Sequence, residues 1–173
     1  MTPKLRIGLF AFATGLLLDY VSNGVVVDHL GFHDKIEAVE GFFYLTHVRN
    51  PGAAFGIFAD APQQWRLTFF IGISMLALGI VVSFFRKLAP GDRLSALALG
   101  LISGGAVGNL VDRIREPHEV IDFLHFKLWQ GYSWPDFNLA DSFIVVGVGL
   151  LVLELLASEG ESRAGAESDE PLA

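Results

Sequence analysis

Residues 104–141 read GGAVGNLVDRIREPHEVIDFLHFKLWQGYSWPDFNLAD, and in this stretch Asp112, Asp122 and Asp141 stand where apolar runs meet a polar segment. Carboxyl groups at such a boundary are candidates for general acid–base chemistry, because partial removal from water separates their proton affinities. Asn138 precedes an apolar run and Asp141 follows three residues later, the spacing of a helix N-cap with an acid at N3. The positive end of that helix favours an ionised Asp141, which is what a general base needs at neutral pH. Asn109, Asp112 and Arg113 close the preceding apolar run; taken by spacing alone, they serve equally well as snorkelling interface residues or as site residues.

The apolar runs that must position these groups are long. A helix over residues 94–111 is roughly 27 Å long at about 1.5 Å per residue, close to the ~30 Å of a hydrocarbon core. Gly100, Gly104, Gly108 and Asp112 recur every fourth residue, with Gly105, Asn109 and Arg113 in a neighbouring row. Small residues at this spacing let a second helix backbone come close. Residues 67–85 are a run without a charge, closed by Arg86 and Lys87 and separated by a short loop from Arg93. A fourth span covers residues 137–156. The first begins behind Lys4 and Arg6 and runs past Asp19 to Val27, with no clean small-x-small cleavage site after it. A carboxylate at mid-membrane costs about 2.5–3.5 kcal/mol, so Asp19 must face a partner or a wet cavity.

Residues 30–65 are too polar to span. Within them FFYLTHV at 42–48 has the aromatic and β-branched content of a strand, and Arg49, Asn50, Pro51 and Gly52 read as a turn. The fold expected is therefore a mainly α membrane protein of four transmembrane helices, with a small extracytoplasmic strand-and-loop cradle between helices 1 and 2. Residues 1–157 form one membrane domain, and 158–173 an acidic, disordered cytoplasmic tail.

Composition narrows the function. The chain has 173 residues, 52% of them hydrophobic and 18% charged, which suits a membrane as solvent. Its net charge of -7 resides mostly in the final twenty residues, and no basic stripe with interleaved aromatics marks a nucleic-acid partner. Cysteine is absent, which excludes a thiol nucleophile, thiolate metal ligands and disulfides. The five histidines form no HExxH pair, so neither a metal nor another cofactor is called for.

Asp19, NPGAAFG at 50–56, GGAVGNLVDR at 104–113, VIDF at 120–123 and FNLAD at 137–141 together resemble lipoprotein signal peptidase, also called signal peptidase II, in the right order over about residues 5–157. The resemblance implies an aspartic endopeptidase of the bacterial inner membrane that removes the signal peptide from prolipoproteins, cutting before a diacylglyceryl-modified cysteine. It matches Asp122 and Asp141 to the catalytic pair. Asp19, Asn50, Asn109, Asp112, Arg113, Asn138 and Ala140 match positions that bind substrate or order the site. The implied partners are diacylated prolipoproteins and membrane lipid, with the enzyme a monomer whose site lies near the periplasmic face. One departure stands out: the family pattern in the first span is D-x-x-[ST]-K, and this chain reads DYVSN at 19–23. Asn23 cannot carry a positive charge, although it can hydrogen-bond.

The residues alone leave two rivals open: a four-span transporter or scaffold that binds a polar solute through Asp19 and Asn109, and a relative that binds prolipoproteins without cutting. The position of the acids separates the first of these, since a peptidase gathers them at one membrane face. Basic residues concentrate at Lys4, Arg6, Arg86, Lys87 and Arg93, which places both termini in the cytoplasm. A reporter fused after Ala173 should be active only there; periplasmic activity would overturn this orientation.

Overall fold

The computed structural model describes residues 1–52, 61–115, 119–129 and 131–168, with side chains described to residue 158. Four helices among these residues are long and apolar enough to cross a membrane. They are α1 (Pro3–His29), α2 (Gln63–Lys87), α3 (Arg93–Ile114) and α4 (Leu139–Ser168), the apolar part of the last being Leu139–Ser158. The boundary drawn at residue 158 between membrane domain and tail falls inside α4. Local chemistry accounts for the ends. Pro3 opens α1, where a missing N–H costs no hydrogen bond, and Arg86 and Lys87 occupy the last turn of α2, where the helix dipole favours cations.

The centre of the bundle is α3, which packs most extensively against α1 and α4; the principal helical contact of α2 is also with α3. The two rows of small residues on α3 explain this position. Gly100, Gly104 and Gly108 face α1: a Cβ at Gly104 would come 2.6 Å from the Phe12 carbonyl oxygen, and one at Gly108 would come 2.5 Å from Asp19 Oδ2. Gly105 faces α4, where a Cβ would run into the Ala140 carbonyl. The rows are thus adjacent but serve different neighbours. Each continues into polar side chains: Asp112 meets α1 and Asn109 meets α4.

Two segments build a four-stranded antiparallel sheet in the order β1 (Lys35–Val39), β2 (Phe43–Asn50), β3 (Val120–Trp129), β4 (Tyr132–Ser133). Two features differ from the sequence reading. The sheet is not supplied by the α1–α2 connection alone, because β3 and β4 come from the connection between α3 and α4. Arg49 and Asn50, read as a turn, continue β2 by pairing with Ile121 and Val120. Those partners lie some seventy residues away, so no local signal reveals them. Residues 53–58, in the loop part of the expected cradle, lie outside the described residues.

The sheet is fastened to the bundle by a cluster of Val26 from α1 and Leu30 at its C-cap with Phe123 from β3, covered by Leu45, Ile121, Leu124 and Leu139. Burying one such side chain is worth about 1.5–3 kcal/mol. His47 adds a polar tie, its Nδ1 lying 2.9 Å from the Leu30 carbonyl at the end of α1.

Gly105→Ala should push α4 away from α3 and lower stability by about 1–3 kcal/mol, the usual cost of overpacking. Gly149→Ala is the control, since a Cβ there meets nothing within 4 Å. Thermal unfolding in detergent should separate the two variants, and equal melting temperatures would refute the close approach as the reason for the glycine.

Candidate active site

The N-terminus of α4 is where the sequence signal and the structure agree most closely. Asn138 Oδ1 accepts the Asp141 N–H at 2.9 Å, and the Asn138 N–H points back at Asp141 Oδ2 at 3.5 Å, the reciprocal capping arrangement. Asn138 is fully buried, and its Nδ2 donates to Asn109 Oδ1 at 3.0 Å. Asn109 in turn donates Nδ2 to Asp141 Oδ1 at 2.7 Å. The Asp141 carboxylate therefore receives a side-chain donor from α3 and sits in the first turn of α4.

Asp122 is held quite differently. It lies on β3, 2% exposed, with Asn50 Nδ2 donating to its Oδ2 at 2.9 Å and no hydrogen-bond partner for Oδ1 among the described residues. Burial pushes its pKa up to about 8, the negative charges of Asp141 and Asp136 push in the same direction, and the Asn50 hydrogen bond and the Arg113 guanidinium oppose them. A carboxyl in this environment keeps its proton at neutral pH.

Both carboxyl groups line one cleft of about 580 Å³ at the junction of the bundle and the sheet. Asn50, Asn109 and Arg113 line it as well, and residues 134–137 form part of its wall. Arg113 is oriented by donating Nη1 to the Asn109 carbonyl at 3.0 Å, with its guanidinium 5.1 Å from the Phe70 ring of α2. Of the residues singled out in the sequence, five thus share the cleft, and Asn138 and Ala140 lie fully buried beneath it.

Asp19 and Asp112 do not line the cleft; they form a second polar cluster behind it. Asp19, 1% exposed, accepts the Ala140 N–H through Oδ1 at 2.9 Å and Asn23 Nδ2 through Oδ2 at 3.3 Å. The same Asn23 Nδ2 donates to Asp112 Oδ2 at 2.9 Å, and that oxygen lies 3.4 Å from the Ile121 N–H, next to Asp122. Asp19 and Asp112 therefore act on the site through the backbone: one fixes the start of α4, the other the start of β3. Asn23 joins them; its i, i+4 spacing puts Asp19 within reach, whereas the contact with Asp112 is tertiary. The wall at 134–137 was not anticipated, although Trp134-Pro135 carries a signal, since the residue before proline is biased to extended backbone.

These features define a class: a multi-pass membrane protein whose buried carboxyl groups are gathered at one end of a helix bundle and roofed by a small sheet. Residues 11–157 match the family described as Signal peptidase (SPase) II, and the chain belongs to that family. The lipoprotein signal peptidase of Geobacter sulfurreducens is 43% identical over 92% of this chain and 97% of its own length, and that of Syntrophus aciditrophicus 41% identical over 88% and 95%. Two solved bacterial membrane enzymes, obtained by the in meso method, share the fold. One is 33% identical with a TM-score of 0.73 over 88% of this chain and 92% of that one; the other is 29% identical with 0.74 over 98% and 94%.

Asn23→Lys would place an ammonium between Asp19 and Asp112, and the variant should fold with activity unchanged or raised. Loss of insertion or of cleavage would mean that the cluster has been rebuilt around the asparagine.

Proposed function

We propose that this protein is an intramembrane aspartic endopeptidase that removes signal peptides from prolipoproteins, cutting before the diacylglyceryl-modified cysteine with Asp122 and Asp141 as its catalytic pair. The observation that carries the reading is the unequal environment of two carboxyl groups on one cleft, a buried Asp122 that retains its proton and an Asp141 that accepts from Asn109 in the first turn of α4. The gathering of polar residues at one end of the bundle, opposite the basic ends of α1 and α2, favours this over a transporter, whose polar sites would run through the bundle.

In the reaction, Asp141 takes a proton from a water in the cleft as its oxygen attacks the scissile carbonyl carbon. Asp122 gives its proton to the carbonyl oxygen, leaving a neutral gem-diol and an ionised Asp122. Collapse returns the hydroxyl proton to Asp122, and the departing amine nitrogen takes the proton held by Asp141. One water is consumed, no covalent intermediate forms and the pair is restored. Arg113 and Asn50 orient the cleft side of the pair. The enzyme works as a monomer in the bacterial inner membrane with both termini cytoplasmic, the cleft near the periplasmic face and residues 158–173 as an acidic tail.

Asp122→Asn and Asp141→Asn should each insert, bind a diacylated prolipoprotein and lose at least ~10²–10⁴ in cleavage rate. Asp112→Asn should retain more activity, because Asp112 acts through Ile121. Asp122 works as an acid, so kcat/KM should fall as pH rises through about 8, where its proton is lost. Asn50→Ala removes a hydrogen bond that favours the ionised form; it should weaken cleavage and move that alkaline limb to higher pH. Dyad variants that cut at the wild-type rate would end the aspartic reading.

A further inference from the structure

We propose that Asp136, clamped by His125 and Thr46, is a positioning residue for the catalytic pair: the clamp sets the cleft wall at residues 134–137 and gives that wall its negative charge. The inference rests on the peptidase reading above. Asp136 Oδ1 accepts from Thr46 Oγ1 at 2.9 Å and lies 3.0 Å from His125 Nδ1. One carboxylate oxygen thereby joins β2 and β3 to the segment that runs directly into α4.

The backbone of that segment is pinned on both sides of Asp136. The Trp134 N–H donates to the Phe126 carbonyl at 2.8 Å, and the Phe137 N–H to the Leu124 carbonyl at 3.2 Å. The Phe137 carbonyl accepts from the N–H groups of Phe123 and Leu124 at 3.0 and 2.8 Å. Asp136 is thus the side-chain anchor between two backbone anchors, and Pro135 stiffens the chain just before it. The next residue is Asn138, whose side chain caps the helix that carries Asp141. On the other strand of the clamp, His125 is three residues from Asp122. Displacement of the wall therefore moves the two catalytic carboxyls relative to each other.

Asp136 also lines the cleft beside Asp122 and Asp141, and its charge joins that of Asp141 in disfavouring ionisation of Asp122. The other charged group acting on Asp122 there is Arg113, with Asn50 as hydrogen-bond donor. Around His125 the facing group is Tyr44, its register partner on β2, 5.8 Å away and edge-on. Tyr44 is in turn flanked by Lys35, 3.9 Å over its ring, and by Glu37, which accepts from its hydroxyl at 2.9 Å. The side chains of His125 and Asp136 are only 15% and 24% exposed, so the pair is largely shielded from solvent.

The two arms of the clamp can be tested apart by measuring cleavage of a diacylated prolipoprotein by the full-length enzyme in bilayers, across pH. Asp136→Asn keeps an acceptor for Thr46 and His125 but removes the charge, and its alkaline limb should fall at lower pH than in the wild type. Asp136→Ser, also neutral, carries the same reading if the asparagine variant does not insert. His125→Ala keeps the charge but releases the wall, and kcat/KM should drop about tenfold or more, since small displacements of reacting groups are costly. His125→Gln, which can donate again, should recover much of that loss. An unmoved limb in the neutral variants, or a wild-type rate in His125→Ala, overturns the clamp. Asp122→Asn run in parallel separates the failures: if it cuts normally the peptidase reading itself is wrong, and if it is inactive while the limb stays put, only the clamp is.

Discussion

The hydrogen bond from the Ala140 N–H to Asp19 Oδ1 is the interaction on which the arrangement of the bundle depends. The first backbone N–H groups of a helix have no partner inside it, and in a membrane there is little water to satisfy them. Here α1 supplies the acceptor for α4 across α3, and the carboxylate reaches it only because Gly108 has no side chain in the way. The close approach along Gly100, Gly104 and Gly108 and the satisfaction of the α4 terminus are therefore one constraint seen at two points. A carboxyl group that would be costly alone in the membrane becomes the tie that registers three helices.

That registration has consequences at the cleft. With the start of α4 held by Asp19, its cap Asn138 and the acid Asp141 are presented to Asn109, which belongs to the glycine row facing α4. With the end of α3 held by Asn23 through Asp112, the Ile121 N–H and so the start of β3 are brought over the bundle, carrying Asp122. The two carboxyl groups thus reach the same cleft by separate routes and arrive in opposite environments. Asp141 meets a donor and a helix terminus, whereas Asp122 is buried on a strand with one oxygen left without a donor among the described residues. The proposed acid and base, made from the same residue type, need this inequality.

The sheet contributes rigidity as well as a roof. Phe126 stacks on Phe43 at 4.8 Å and on Phe137 at 5.8 Å, so an aromatic ladder crosses from β2 through β3 to the segment before α4. Such pairs add about 0.5–1.5 kcal/mol each beyond burial. The ladder and the Thr46–Asp136–His125 contacts lie side by side, one apolar and one polar, and both brace the same short wall. By contrast α2 leans principally on α3 and reaches the site through the contact of Phe70 with Arg113.

Length, apolarity and i, i+3 or i, i+4 spacing are local properties, and what rests on them was legible in the sequence: four spans, the cap of Asn138 with Asp141, the reach of Asn23 to Asp19, and the glycine rows. The resemblance to a known family joined Asp122 to Asp141; spacing could not, because nineteen positions of chain separate them and many geometries fit. Tertiary structure alone decided that Asn50 belongs to a strand, that half of the sheet comes from the α3–α4 connection, that Asp19 and Asp112 stand behind the cleft, and that Asp136 closes its wall. Each of these depends on a partner distant in the chain, such as Val120 for Asn50 or Ala140 for Asp19. Strand pairing and buried hydrogen bonds are completed by whatever group the fold brings within about 3 Å, and a sequence read along its length does not contain that distance.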